Sequence, residues 1–258
     1  MQEVHCSFYK KINELDDGTY SIARYNAISE VPKLALWKQD IFTVLGRDLP
    51  RQKNREIIFY GEWKENIYKK RKSLQFHAER FKVLLPETKE AIQEVLADEV
   101  PGIGKKTAKA IVDAFGTDTF HVLKEPPKHE TIPRIKLMAV RNFIKAEERK
   151  ERLCYLMGTY DLKKGQARKV LKAFGEDATE MLDANIYNLY KAGISLADIE
   201  MNHEPSEEEK NDTIRIRCGI YSAITRLCKN KGHTFIYEND LINETYYVMH
   251  KSVPKATI

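Results

Sequence analysis

Long apolar runs are missing from this 258-residue sequence. None approaches the roughly 18 residues that a membrane-spanning helix needs. The opening Met-Gln-Glu-Val-His-Cys also lacks the basic and apolar regions of a signal peptide. A cytoplasmic protein with no membrane partner is expected. Cysteine is scarce, and Cys6, Cys154, Cys218 and Cys228 form no Cys-x-x-Cys. Neither a disulfide framework nor a closed thiolate metal site is encoded, and all four are read as reduced. The histidines, at 5, 77, 121, 129, 203, 233 and 250, are isolated, so no metal cluster or nucleophile triad is suggested and no cofactor is expected. A phosphate-binding motor loop is missing too. Gly104-Lys105 would need Gly at 99 and Ser or Thr at 106, where Glu99 and Lys106 stand. What is present, 42% hydrophobic and 31% charged residues, excludes wholesale disorder. The length suits two or three small domains.

Net charge is only +5, but it is unevenly spread. Residues 1–85 carry 16 Lys and Arg against 11 Asp and Glu, whereas 86–200 balances at 19 against 19 and 201–258 at 8 against 8. Inside the balanced middle, residues 128–172 hold 13 basic and 5 acidic side chains, a local +8 masked by acidic flanks. Two basic surfaces follow, and a polyanion is the partner such surfaces suit.

The hydrophobic period divides the chain. Residues 3–9, 20–28, 41–46, 56–63 and 74–85 alternate or cluster apolar residues between turn signals such as Asp16-Asp17-Gly18, which predicts five strands. The first domain, 1–86, is read as a small OB-like β-barrel. From Thr88 to Ile199 apolar residues recur at helical spacing in segments broken by Gly and Pro, predicting an all-α bundle of short helices over 87–200. An internal repeat lies within it: Ala108–Leu123 and Ala167–Leu182 share their apolar pattern and an Ala-Phe-Gly-x-Asp ending at an offset of 59. Gly116 and Gly175 read as left-handed helix caps, and Asp118 and Asp177 as N-caps of the helices that follow. Residues 201–258 read as an acidic linker, a helix over Thr213–Lys229 and a strand over Gly232–Tyr237, the start of a partial winged helix. The fold class is α+β, multi-domain.

One segment carries chemistry. Val100-Pro101-Gly102-Ile103-Gly104-Lys105-Lys106-Thr107-Ala108 lies between two helical stretches and has the pattern of a helix-hairpin-helix. The glycines permit a tight turn and let a phosphate approach the backbone amides of a helix N-terminus. Ile103 would plug the space between the helices and Ala108 let them pack closely. Lys105, Lys106 and Thr107 add charge and a donor beside the phosphate, contacts that position a protein on nucleic acid without reading bases. Three worn copies follow: Ile132-Pro133-Arg134-Ile135-Lys136, with Arg134 and Lys136 at the glycine positions; Asp161-Leu162-Lys163-Lys164-Gly165, with Lys163 and Lys164 as side-chain contacts; and Gly193-Ile194-Ser195. In the β-domain, Lys69-Lys70-Arg71-Lys72 falls between two strands near Trp63, Tyr68 and Phe76. Such interleaving suits a groove for single strands, and a soluble hairpin tip with its aromatics in the core is the alternative.

Gly61-x-Trp63, Gln75-Phe76, Val83-Leu84-Leu85-Pro86, Pro101-Gly102-Ile103-Gly104 and Gly232-His233-Thr234-Phe235 occur in an order that resembles the N-terminal region of the RecD-like ATP-dependent DNA helicases of superfamily 1. The resemblance runs from Gly18 to Tyr237. It implies a small β-domain and helix-hairpin-helix units that bind DNA, single-stranded or at a junction, in DNA repair or replication, beside a helicase motor or a repair protein. It does not bring the motor's 5′ to 3′ activity with it, and this chain is expected not to be an enzyme. Residues 102–108 also resemble the hairpin of endonuclease III-type glycosylases, with Lys106 at the nucleophile position. The catalytic Asp of those enzymes would fall near Lys124, and Asp118 comes too early. A protein-interaction scaffold is the other rival, marked by an exposed apolar patch and indifference to DNA.

Overall fold

The computed structural model describes residues 2–15, 20–52, 55–68, 71–230, 232–250 and 252–253. It divides into two compact units, residues 1–160 and 161–258.

The first unit opens with β1 (Gln2–Leu15), β2 (Tyr20–Ala27), β3 (Leu36–Lys38), β4 (Ile41–Arg47), β5 (Glu56–Tyr68) and β6 (Arg71–Val83). The strands are ordered β2-β1-β5-β6-β4-β3, and a further β2–β4 pairing closes five of them into a barrel. Every pairing is antiparallel except β4 with β6, where Val44 faces Phe76 and Gly46 faces Ala78. This order, with one parallel seam, is the OB-like arrangement the sequence predicts. β1 reaches both neighbours because its first half pairs with β5 and its second with β2. Register shifts after Phe8 and Lys11 coil it from one to the other. Strict alternation on β2 and β4 turns Ala23, Tyr25, Phe42 and Val44 inward onto Cys6, Phe59 and Phe76. Trp63 joins them, with its ring 5.0 Å from that of Phe76.

Helices α1 (Lys89–Glu99), α2 (Lys105–Phe115), α3 (Thr119–Val122) and α4 (Arg134–Thr159) complete the unit. Their shared core includes Ile92, Leu96, Ile103, Ala108, Ile111, Leu123, Ile132, Leu137 and Val140. The expectation of short helices fails at α4, which runs 26 residues because no Pro and only one Gly falls inside it. That glycine, Gly158, lets α4 lie against β6: a Cβ there would come within 2.3 Å of the Glu79 carbonyl. Arg55 fastens barrel to helices. It is 1% exposed, donates to the Leu84 carbonyl (3.1 Å), and pairs through Nη1 with Glu99 (3.1 Å) and Glu147 (2.7 Å).

The second unit holds α5 (Lys164–Phe174), α6 (Ala178–Ala184), a 3-10 helix (Ile186–Ala192), α7 (Leu196–Asn202), α8 (Glu207–Lys210), α9 (Thr213–Thr225) and α10 (Glu238–Val248). Its buried cation is Arg215, which pairs with Glu200 (2.8 Å) and donates to the Lys210 carbonyl and Ser252 Oγ. The 59-residue repeat is visible as geometry: α2 and α5 have equal length, and each is followed by a glycine of positive φ, Gly116 at +62° and Gly175 at +59°. Asp118 and Asp177 make no side-chain cap, contrary to expectation, because the intervening 3-10 turn already leads the backbone into the next helix. The expected strand over Gly232–Tyr237 is also absent. Among the described residues no neighbouring strand offers a ladder to it; α9 runs on into a π turn (Arg226–Asn230), and α10 follows the segment. Among the described residues no helix is long and apolar enough to cross a membrane.

Candidate nucleic-acid interface

Three hairpins share one backbone pattern, a residue of positive φ followed by a buried plug and a helix N-cap, and a fourth keeps only the plug and the cap. In the first, Gly102 has φ +78°, Ile103 is 3% exposed, Gly104 is the N-cap of α2, and Ala108 is fully buried. The Ile103 amide donates to the Val100 carbonyl, which closes the turn. Asp161, Leu162, Lys163 and Ala167 repeat these roles exactly 59 residues later, Asp161 with φ +48°. Gly193, Ile194, Ser195 and Ile199 repeat them again, Gly193 with φ +77°. The second hairpin corrects the sequence alignment. Its buried plug is Ile132 and its N-cap is Pro133, so Arg134 and Lys136 sit in the first turn of α4, not at glycine positions. Ile135, read from sequence as the counterpart of Ile103, is 75% exposed. The matching motif letters lay three residues out of phase with the helix.

The first hairpin is open to a ligand. A Cβ on Gly104 would meet nothing within 4 Å, and one on Gly102 only the Lys136 ammonium at 3.9 Å. Gly102 is required by its positive φ, a region costing L-residues about 1–2 kcal/mol. Gly104 is extended, with φ −93°, so any residue could adopt its backbone. What the glycine provides there is free space above the amides. An open concavity of about 500 Å³, lined by residues 97–104, lies beside the turn. α2 has no side-chain cap and no acidic residue in its first turn, leaving its N-terminal amides to water or a ligand.

Charge reinforces this opening. Lys105 and Lys106 are exposed on the first turn of α2, and Lys136 reaches across from α4 to donate from Nζ to the Gly102 carbonyl at 2.7 Å. The structure therefore brings Gly102, Gly104, Lys105, Lys106, Thr107 and Lys136 to one place. Cations at a helix N-terminus oppose the helix dipole, at roughly 0.3–1 kcal/mol each. α4 and α5 likewise begin with basic residues, Arg134 and Lys136, and Lys164 after Lys163, with no acid in the first turn. An anion at these ends would turn the unfavourable arrangement into a favourable one. α5 is partly closed, because the Lys163 amide donates to Gln166 Oε1 at 2.9 Å.

The barrel's predicted groove fares differently. Lys69 and Lys70 lie outside the described residues, Arg71 opens β6, and Lys72 is exposed with Glu65 at 3.8 Å. Trp63 and Phe76, placed beside it by sequence, belong to the barrel core because strand alternation turns them inward. Lys106 lies in the first turn of α2, whereas Asp118 ends the 3-10 turn that follows the other end of that helix. Nothing local in the sequence marks Arg55 or Arg215 as an Arg that distant carboxylates will bury.

Residues 146–235 match the family model described as the ATP-dependent RecD2 DNA helicase HHH domain. Over those residues the chain is similar to a RecD2-type helix-hairpin-helix domain. This bears out the resemblance to the N-terminal region of the RecD-like helicases, with a small barrel ahead of the helical domain. The RecD2-type match covers the third and fourth hairpins and begins within α4, so the open first hairpin lies ahead of it. No solved structure matches the chain.

Proposed function

We propose that this chain is a DNA-binding accessory region of a RecD-like helicase that grips the phosphate backbone without sequence preference, on single-stranded or junction DNA. The first hairpin is the principal site. The observation that carries the reading is an uncapped helix start with two lysines on it and empty space over Gly104, within a chain whose residues 146–235 are similar to a RecD2-type hairpin domain. Phosphate oxygens would accept from the amides at the start of α2, while Lys105 and Lys106 replace condensed counterions. Lys136 acts as a positioning residue by holding the Gly102 carbonyl. No catalytic step is assigned to the chain, and the partner it would serve is a helicase motor or a repair protein. Fluorescence anisotropy of a labelled oligonucleotide tests this. The expected result is binding that falls steeply with salt and varies little with sequence; no binding to single strand, duplex or junction at low salt would remove the proposal.

A scaffold role is the second reading, favoured by one observation. Phe235 and Tyr237 are 66% and 67% exposed with their rings 5.3 Å apart, an apolar pair on the surface of the second unit. Under that reading DNA affinity is absent, and Phe235→Ser with Tyr237→Ser abolishes capture of a purified repair or motor protein.

A further inference from the structure

The outer face of the barrel at β2, β3 and β4 has a chemistry of its own. Inward residues on β2 and β4 are committed to the core, so Tyr20, Ile22 and Arg24 on β2 and Thr43 and Leu45 on β4 face outward in a shared register. Trp37 on β3 is 47% exposed, an unusual outlay for the largest apolar side chain. The Arg24 guanidinium lies 3.6 Å from its ring centroid and the Lys38 ammonium 4.6 Å. Lys10, exposed on β1, is in register with Arg24, and Tyr9 beside it is 44% exposed. The sequences of β2, β3 and β4 contain no Asp or Glu. Among the described residues Arg24 has no carboxylate partner, and its buried Nε finds no acceptor.

We propose that this face binds single-stranded DNA, with Trp37 as the stacking platform and Arg24, Lys38 and Lys10 as phosphate contacts. The inference rests on the DNA-binding reading above and adds a second contact of a different kind. A ring held half open among unneutralised cations suits an unpaired base flanked by phosphates, since every base has a π-face and the cations follow the backbone. A duplex keeps its bases stacked and offers the ring nothing. The face thus supplies strand selectivity that a hairpin reading only phosphates lacks.

The test uses the full chain, which has two tryptophans. Trp63 is partly buried against the barrel core, so the part of the tryptophan quenching by an added oligothymidylate that Trp37→Phe removes is the part that reports on Trp37. The expected result is saturable quenching that Trp37→Phe removes, and an affinity for oligothymidylate about tenfold weaker in Trp37→Ala, the scale of one lost stacked base. Affinity of Trp37→Ala for duplex should be unchanged, while Lys105→Glu with Lys106→Glu weakens duplex binding and leaves the quenching in place. A thermal melt confirms that each variant is folded. Duplex binding by the native chain without quenching, or equal losses on single strand and duplex in Trp37→Ala, would overturn this inference and leave the hairpin standing. Loss of binding to both forms in the native chain would overturn the two together.

Discussion

The first and fourth hairpins have nearly the same backbone and opposite chemistry. Each turns on a glycine of positive φ (+78° and +77°), buries an isoleucine at 3% exposure, and has its glycine carbonyl held by a lysine from another helix, Lys136 at 2.7 Å and Lys169 at 3.2 Å. They part at the N-cap. Gly104 leaves the start of α2 unoccupied, whereas Ser195 Oγ accepts from the Asp198 amide at 3.2 Å and donates to the Asp198 carboxylate at 2.6 Å. α2 begins with two lysines, while α7 carries an acid in its first turn. The fourth hairpin satisfies its own helix end and presents a negative charge; the first leaves both tasks to a ligand. One supersecondary unit can thus be kept for packing or for binding by changing two or three side chains at the cap.

The largest expected effect comes from removing what holds the first hairpin in place. α1 ends at Glu99, which shares Arg55 with Glu147. Arg55→Met leaves Glu99 without its cation and Glu147 with Lys150 alone, and should cost about 3 kcal/mol of stability in chemical denaturation, disturbing the first hairpin before the fourth. The two acids differ in sign. Burial pushes the Glu99 carboxyl up, whereas burial at Glu147 is outweighed by its hydrogen bonds from Lys150 and Arg55, which hold it low. Glu147 therefore contributes stability that is present above its unfolded value and lost as pH falls through its folded value. Glu99 protonates earlier on acidification, and its raised value means that its charge is not a net stabiliser. Glu147→Gln should be the more damaging of the two at neutral pH, a difference that vanishes in acid.

Charge comes next. Lys105→Glu with Lys106→Glu should lower DNA affinity by roughly 10- to 100-fold and flatten the logarithmic salt dependence by about two, whereas Lys191→Glu, beside the fourth hairpin, should do little. Gly104→Val is gentler and sharper, because its extended backbone accepts the substitution: affinity should drop severalfold, with the melting temperature lowered only slightly by the poorer N-cap. The reverse change, Ser195→Gly with Asp198→Lys, should open the fourth hairpin, raise affinity about twofold, and cost roughly 0.5–1 kcal/mol of helix capping. Smallest is Asp161→Gly in the third hairpin. It relieves a positive φ on a non-glycine residue and removes an acid from the turn, so a gain of up to about 1 kcal/mol is expected in a thermal melt.

Much of this was legible in the sequence, and the failures are instructive. Alternation located five strands and helical period the hairpins, because both follow from which face is buried. The first hairpin read correctly down to Ile103 and Ala108, since Gly-x-Gly leaves little freedom of register. Without glycines the letters of the second place its motif three residues late: Ile135 resembles Ile103, and the N-cap at Pro133 together with burial shows that Ile132 is the plug. Sequence proximity sets Trp63 and Phe76 beside basic neighbours, while the pleat sends them inward. Trp37 carried no pattern at all, as its cations come from β2 and from its own strand only after the barrel closes. Arg55 and Arg215 depend on partners up to 92 residues away, a distance no local motif records.

The most direct test of the first hairpin as the phosphate site is to follow backbone amide chemical shifts of the full chain as a short oligonucleotide is titrated in at low salt. The account predicts saturating shifts at Gly102, Gly104, Lys105 and Lys106, with Ser195, Leu196 and Asp198 unmoved. Shifts centred on the fourth hairpin, or none at the start of α2 while DNA binds elsewhere, would contradict it.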